Sequence, residues 1–480
     1  MSIVSHNAAT ADHLGAPQQW GGSADMREPQ RTIRRLPRPR SSWVRTSDVW
    51  AVGGFVALVT FGLWARHGGI GQLLAGGTET LSAQGSSLGL LAALAAMGGL
   101  ILTARPRVLE RRYGQDGMLL AHRWFGITTA FALLGHVVFD TWAWAASTGT
   151  NFVAALIDML ANEAWMVAAL MATILVFTVS MSSWRRLRQV IPYETWYFIH
   201  LTGYLAVLLG FGHQLTMGAD IVGDTLALVW WWSLAIATVV IVTWSRIGDL
   251  FRSLTRSFYV AAISSEANGI GSIHVTGPGL RRLRVAGGQF FNVRALTKDL
   301  WWQAHPLSVS AAPTTAGLRF TVKALGEDST RMLQMEPGTR LVLEGPYGIF
   351  TADQAQGAPV VLIAGGVGIS PIRAILEDCA PHQRPVVIVR VRDEDDVAHR
   401  IELERLVSAR GGSLHVLAGR REWFTRNDPF HPDTLRAWIP DIASRHVFMC
   451  GPASLESAVM KGMRKAGVPT DHIHHERFGV

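Results

Sequence analysis

The sequence predicts a multidomain protein: an all-α six-helix transmembrane bundle, then an antiparallel β-barrel, then an α/β doubly wound nucleotide-binding domain. Three observations carry that reading. Long apolar runs crowd the first half of the 480 residues and stop before Arg256. Short segments that alternate apolar and polar residues, broken by Gly and Pro, come next. Strand, turn and helix patterns then repeat to the end of the chain. So long a chain exceeds one domain. The boundaries fall at 1–47 for a basic tail, 48–246 for the bundle, 255–352 for the barrel and 356–480 for the nucleotide-binding domain.

Residues 1–47 are polar and Arg-rich, with no apolar core of the kind a secretory signal requires. They read as a disordered cytosolic tail. Arg31, Arg34, Arg35, Arg38 and Arg40 either rest on anionic lipid or are simply solvated.

Six apolar runs follow, at about 49–65, 86–104, 118–143, 163–183, 196–217 and 222–245. Each approaches the roughly 20 residues that a helix needs to cross a bilayer. Basic residues mark alternate loops: Arg105, Arg107, Arg111 and Arg112 after the second run, Arg185, Arg186 and Arg188 after the fourth, Arg246, Arg252 and Arg256 after the sixth. By the positive-inside rule both chain ends are cytoplasmic, in a multi-pass protein of the plasma membrane. The net charge of +8 is mostly this topology signal, so no nucleic-acid partner is implied. The two cysteines, Cys379 and Cys450, lie in the cytosolic half and provide neither a disulfide framework nor a cysteine-ligated metal site.

Within the bundle, AHRWFGITTAFALLGHVVF carries His122 and His136, 14 residues apart, and a later run carries His200 and His213, 13 apart. At 1.5 Å per residue each helix offers imidazoles at two depths about 20 Å apart. A lone intramembrane histidine usually bonds a neighbouring helix. Four of them, paired at matched depth, point to function, because polar groups in lipid are costly. Neutral imidazole is an axial ligand of haem iron, and two per iron describe a bis-histidine b haem. His122 with His200 would form the inner pair and His136 with His213 the outer. At 100° per residue, 14 steps return to one helix face and 13 do not; Gly203, Gly210 and Gly212 allow the second helix to bend.

The segments FYVAAI, GSIHVTG, GQFFNVRAL, LSVSA, LRFTVKAL and TRLVLEG have the period of an antiparallel barrel. APVVLIA is a buried parallel strand running into GGVGISP (Gly365 to Pro371) and the helix IRAILEDCA. PVVIVRV and HVFMCGP each lead into a further helix. Gly365, Gly366 and Gly368 between strand and helix let backbone N–H groups approach a pyrophosphate, although a tight turn alone would also use them. GPYG (Gly345 to Gly348) and HPLSVSAAP (His305 to Pro313) are open to the same two readings.

The four histidines, HPLSVSAAP, LGEDST, EGPYG, AGGVGISP, MCGP and the terminal HHERF occur in one order. In that order the soluble half resembles the ferredoxin–NADP reductase superfamily. The chain from about Asp48 onward resembles the NADPH oxidase and ferric reductase family of prokaryotic type, in which a six-helix haem domain precedes the reductase. The resemblance implies FAD, two haems b and NADPH. His305, Pro306, Leu307 and Ser308 would hold the flavin, with Leu307 where the family has an aromatic residue. Gly326, Ser329, Thr330, Gly345 and Pro346 would contact its phosphates and neighbourhood. Gly365, Gly366, Gly368, Ser370 and Pro371 would bind the NADPH pyrophosphate, and Arg392 and Arg420 or Arg421 its 2′-phosphate. Cys450, Gly451 and Pro452 would line the nicotinamide pocket. Glu476 and Phe478 match the terminal motif in which an aromatic ring covers the flavin, and Ser308, Cys450, Glu476 and Phe478 would form the catalytic set.

The implied function is a transmembrane NADPH oxidase. The flavin converts a two-electron hydride into single electrons, and the haems carry them to oxygen outside, giving superoxide or hydrogen peroxide. A ferric-chelate reductase, or an electron-transfer module for a quinone or partner protein, is the alternative. Aromatic residues Phe125, Phe131, Tyr204 or Phe211 would lie between the haems or simply pack. Oligomeric state is left open, a homo-oligomer included.

Overall fold

A computed structural model describes residues 33–39, 43–218, 221–420 and 428–476. It separates into two compact units, Ser42–Gly248 on one hand and Asp249–Val480 with the N-terminal residues on the other.

The first unit is helical: α1 (Thr46–Arg66), α2 (Gly69–Ala75), α3 (Gly77–Ala104), α4 (Arg107–Thr148), α5 (Phe152–Asn162), α6 (Met166–Ser182), α7 (Arg185–Arg188), α8 (Tyr193–Met217) and α9 (Thr225–Leu254). Local chemistry sets several ends. Gly149 takes the left-handed conformation that closes α4. Asn151 Oδ1 accepts the Ala154 N–H at 2.9 Å to start α5, and Asp224 Oδ1 accepts the Leu226 N–H at 2.8 Å to start α9. Helices α1, α3, α4, α8 and α9 are each long and apolar enough to span a membrane. The fourth apolar run, 163–183, forms α6, which extended Glu163 and left-handed Trp165 separate from the preceding α5; the two helices meet at 119° and make a sixth span only if the bent pair counts as one. Leu58, Phe131, Leu208 and Val239 stay exposed on the helices, as lipid-facing positions require. Helix α3 packs along α4, and α6 along α8.

The second unit has two sheets. Strands β1 (Phe258–Ala267), β2 (Ile270–Thr276), β3 (Phe290–Ala295), β4 (His305–Ser308), β5 (Leu318–Lys323) and β6 (Arg340–Tyr347) form an antiparallel sheet ordered β4-β3-β6-β1-β2-β5, with helix α10 (Glu327–Met332) between β5 and β6. Its core includes Phe258, Phe291, Phe320 and Leu341. A single bridge between Val309 and Phe320 links the two end strands. The parallel sheet contains β7 (Val360–Gly365), β8 (Val386–Val391), β9 (Ser413–Ala418), β10 (His446–Cys450) and β11 (Ile473–Glu476) in the order β11-β10-β7-β8-β9. Helices α11 (Ile369–Asp378), α12 (Arg400–Ser408), α13 (Pro432–Trp438) and α14 (Ala453–Ala466) connect its strands. Residues 360–365, buried throughout, read as the apolar run a two-faced parallel strand requires. Strand β11, formed by the polar IHHE, had no apolar pattern to announce it.

The expected disordered tail is corrected over residues 33–39. Leu36 is buried in the core of the antiparallel sheet and donates its N–H to Pro313 O at 2.9 Å. Arg35 pairs with Asp378 at 2.8 Å and Arg38 with Asp353 at 2.5 Å. These two arginines are therefore engaged by carboxylates of the reductase unit. Arg31 and Arg40 lie outside the described residues.

Charged side chains tie the two lobes together. Arg319 on β5 grips Glu402 on α12 through two bonds of 2.8 and 2.9 Å, and Arg373 Nε meets the same carboxylate at 2.7 Å. Burial alone would raise the Glu402 pKa, but the Arg319 and Arg373 contacts hold it down to about 2. His399 lies beside this network, 2.9 Å from Thr321 Oγ1 and 3.1 Å from Glu266 Oε2. Burial, with the Arg319 charge adding to it, pushes the His399 imidazole down to about 4 from 6.5. The folded state thus binds fewer protons than the unfolded chain between those two values. This contribution to stability is complete above pH 6.5 and is lost as the pH falls toward 4. The thermal midpoint of the reductase unit is expected to fall across that window, and His399→Gln to flatten the fall. Parallel curves for the two proteins would contradict the assignment.

Candidate functional site

Helix α4 carries His122 and His136, and α8 carries His200 and His213. The structure brings them together in the pairs expected: ring centroids lie 5.8 Å apart for His122 and His200 and 6.1 Å for His136 and His213. Imidazole–metal bonds are about 2.0–2.1 Å. Two such bonds, with the distance from each nitrogen to its ring centre, account for a spacing of this size. Three of the four rings have their Nδ1 atoms occupied. His122 Nδ1 lies 3.1 Å from Gly99 O, and His200 Nδ1 3.3 Å from Ser183 Oγ. His136 Nδ1 lies 3.0 Å from Gly85 O and 2.8 Å from Asp140 Oδ2. Backing at Nδ1 selects the tautomer that leaves Nε2 to ligate, the usual arrangement behind a metal-bound histidine. The His213 imidazole is buried against the backbone of Gly210, its Nδ1 without a hydrogen bond of full geometry. A cavity of about 570 Å³ opens beside the His136–His213 pair, lined by these two with Asp140, Gln214, Phe211 and Trp231 among others. That volume is typical of a cofactor pocket. The residues present therefore fit bis-histidine ligation at two levels.

Of the aromatic residues proposed between the levels, Phe211 lines this cavity and packs edge-on against Trp232. Phe131 is 72% exposed and does not line this cavity.

In the reductase unit, β4 presents the HPLS segment. Burial lowers the His305 pKa, Asp328 opposing in part, and its Nε2 is buried without a partner. Such an atom suits a bound group that brings its own polar atoms. Ser308 is buried, Pro306 is exposed, and Leu307 packs against the core of the antiparallel sheet. Gly326, Ser329 and Thr330 share one turn, where Ser329 Oγ receives the Gly326 N–H at 3.0 Å and Thr330 Oγ1 donates to Gly326 O at 2.9 Å. Gly345 and Pro346 end β6, and the following Gly348 approaches Glu476: a Cβ there would lie 3.9 Å from Glu476 Oε1.

The two nucleotide loops touch. Gly365 closes β7, and a Cβ on it would meet Pro452 at 3.0 Å and Gly451 Cα at 3.6 Å. A Cβ on Gly368 would lie 2.1 Å from Cys450 O. Gly366 has φ +57° with open space above it. Cys450 pairs in register with Glu476 across β10 and β11. Burial, with the Glu476 charge beside it, pushes the Cys450 thiol well above its usual range, so it stays protonated. Arg392 and Arg420 are both exposed past the carboxyl ends of adjacent strands, which Gly419 N–H joins to Arg392 O at 3.0 Å.

Ser370 needs a correction. It is 1% exposed and its hydroxyl donates to Thr321 O at 3.3 Å, so it joins the lobes instead of facing a phosphate, and Pro371 beside it is buried in α11. Phe478 and Arg421 lie outside the described residues. Sequence reasoning did not single out Asp140, and it missed the Arg319–Glu402–Arg373 network. Spacing i to i+4 was the available signal for Asp140; the network, drawn from residues 83 apart for Arg319 and Glu402, had none.

The fold and these loops define an oxidoreductase: a nucleotide-dependent flavin reductase unit on a chain with membrane-spanning helices. Comparison with known proteins gives the family. Residues 88–211 match the family model described as the ferric reductase like transmembrane component, and residues 362–461 match the oxidoreductase NAD-binding domain. Ferredoxin–NADP reductase B of Sorangium cellulosum is 32% identical over 174 residues, covering 32% of this chain and 68% of its own. The ferredoxin reductase component of 3-ketosteroid-9-alpha-monooxygenase from Mycolicibacterium smegmatis is 31% identical over 204 residues, 41% of this chain and 56% of its own. The glycine betaine monooxygenase reductase subunit of Pseudomonas aeruginosa is 28% identical over 153 residues, 30% of this chain and 42% of its own. The chain thus spans between 42% and 68% of the length of these relatives. It belongs to the family that joins a ferric reductase-like transmembrane component to a ferredoxin–NADP reductase-like oxidoreductase. It is an NAD(P)H-dependent membrane oxidoreductase whose reductase unit binds FAD and NAD(P)H.

Proposed function

We propose that this chain is a transmembrane NADPH oxidase: it moves electrons from cytosolic NADPH, through FAD and two bis-histidine haems b, to oxygen on the outer side of the plasma membrane. The observation that carries this reading is the meeting of four histidines in two pairs, 5.8 and 6.1 Å between ring centres. Bound FAD would supply the exchange between hydride and single electrons, and the haems a relay across a core of about 30 Å. His122 and His200 grip the inner porphyrin iron, and His136 and His213 the outer. His305 and Ser308, with Gly326, Ser329, Thr330, Gly345 and Pro346, hold the flavin. Gly365, Gly366 and Gly368 offer backbone to the pyrophosphate of NADPH. Cys450, Gly451, Pro452 and Glu476 enclose the nicotinamide. The protonated Cys450 thiol excludes water there without acting as a nucleophile.

A ferric-chelate reductase is the second reading, and one observation favours it. The outer cavity includes the carboxylates of Glu79 and Asp140. Arg66, at the end of α1, and His67 beside it are both paired to Asp224. Carboxylates there favour a cationic acceptor.

Reconstitution with haem and FAD, followed by NADPH, separates the two readings. Cytochrome c reduction that superoxide dismutase suppresses is expected, and ferric-chelate reduction without it would replace the first reading by the second. Arg392 and Arg420 supply the preference for NADPH. Their double replacement by Ala is expected to lower kcat/KM for NADPH by at least tenfold, given about 1.5–3 kcal/mol for even one hydrogen bond to a charged group, and to leave NADH unaffected. Equal use of both nucleotides before and after the change would refute this assignment.

A further inference from the structure

The four histidines do not have equivalent backing. His122 faces a carbonyl, His200 a hydroxyl, and His213 the backbone of Gly210. Among them His136 alone meets a carboxylate: Asp140, one turn further along α4, places Oδ2 2.8 Å from Nδ1, and Gly85 O shares that nitrogen at 3.0 Å.

Helix α3 is cut away to admit this pair. A Cβ on Gly85 would lie 1.6 Å from Asp140 Oδ1, and a Cβ on Gly89, one turn later, 2.9 Å from His136 Nδ1. The carboxylate thus sits in a notch between two helices, 29% exposed, with the histidine 22% exposed. Simple helix packing needs neither a notch nor a carboxylate. A hydrogen bond from a ligating imidazole to a carboxylate fixes its tautomer and raises its basicity. In a poorly solvated site the added negative charge also favours the more positive state of the metal.

We propose that Asp140 is a positioning residue for the outer haem: it accepts the Nδ1 proton of His136 and thereby holds that iron toward its ferric form, lowering the potential of that level relative to the value a carbonyl-backed ligand alone would give it. The inference rests on the bis-histidine reading above. It gives the outer level the character that a one-electron acceptor hard to reduce, such as oxygen, requires.

Redox titration of the purified full chain, followed by absorbance, tests it. In Asp140→Asn both haems are expected to remain, with one midpoint raised by at least tenfold in the reduction equilibrium, or about 59 mV for a one-electron couple. The other midpoint should not move. Gly85→Ala keeps the carboxylate but displaces it, and is expected to shift the same midpoint in the same direction. Asp140→Glu should restore part of the shift. Unchanged midpoints in the Asp140→Asn and Gly85→Ala proteins, with two haems retained in each, would overturn the proposal, as would equal movement of both haems. If Asp140→Asn loses a haem, the Gly85→Ala titration decides by the same criterion. Failure of the underlying reading looks different: the unmodified protein would bind no haem, or His136→Leu would leave both in place.

Discussion

Replacing His213 with Leu is expected to halve the haem content and to reduce electron delivery to an outer acceptor by at least 10²-fold. The estimate follows from metal sites in general, where loss of a mere outer-shell partner already costs about 10–100-fold. In the proposed reading His213 is a ligand, its only other neighbour of note the Gly210 backbone, and its ring faces His136 at 6.1 Å. Leu is close to isosteric and apolar, so α8 should keep its packing. NADPH-driven reduction of a soluble acceptor at the flavin should continue. Retention of both haems in His213→Leu would remove the outer pair from the account, whereas loss of flavin reduction as well would indicate misfolding.

Gly368→Ala is expected to have the next largest effect, confined to the other half of the chain. The added methyl would come within 2.1 Å of Cys450 O and 2.6 Å of its carbonyl carbon, both backbone atoms that cannot swing away. The pyrophosphate turn and the Cys450 loop would have to part. Overpacking of this kind costs about 1–3 kcal/mol, which translates to roughly a tenfold or greater loss in kcat/KM for NADPH, at about 1.36 kcal/mol per factor of ten. Gly366→Ala is a control of different character, since its methyl meets open space and bears only the cost of φ +57°, on the order of 1–2 kcal/mol. Stopped-flow flavin reduction should therefore be slower in the Gly368 variant than in the Gly366 variant, with haem content equal. The reverse order would mean that the two loops do not share the nucleotide.

What the sequence made legible were features with a local period. The strands of the antiparallel sheet alternate, β7 is buried along its length, and the long apolar runs emerged as helices. The histidine pairs were legible from depth, and both pairs meet even though 13 residues on a regular helix do not share a face. Features made by distant residues were not legible. Arg35 and Asp378, 343 apart, dock a segment that composition alone assigned to disorder. Helix α5 and its bend against α6 were not read, because the apolar run was taken to begin only at 163 and neither Gly nor Pro marks the bend. Ser370 lies inside a phosphate-loop motif, yet its hydroxyl is claimed by Thr321 from the neighbouring lobe. Motif order located the loops; which side chains face a ligand depended on contacts between lobes.

Haem quantitation on the variant lacking all four imidazoles, His122, His136, His200 and His213 each changed to Leu, tests the central claim most directly. The unmodified chain is expected to carry two b haems and the variant none, with FAD retained in both. A fourfold variant that keeps its Soret band unaltered would contradict the account.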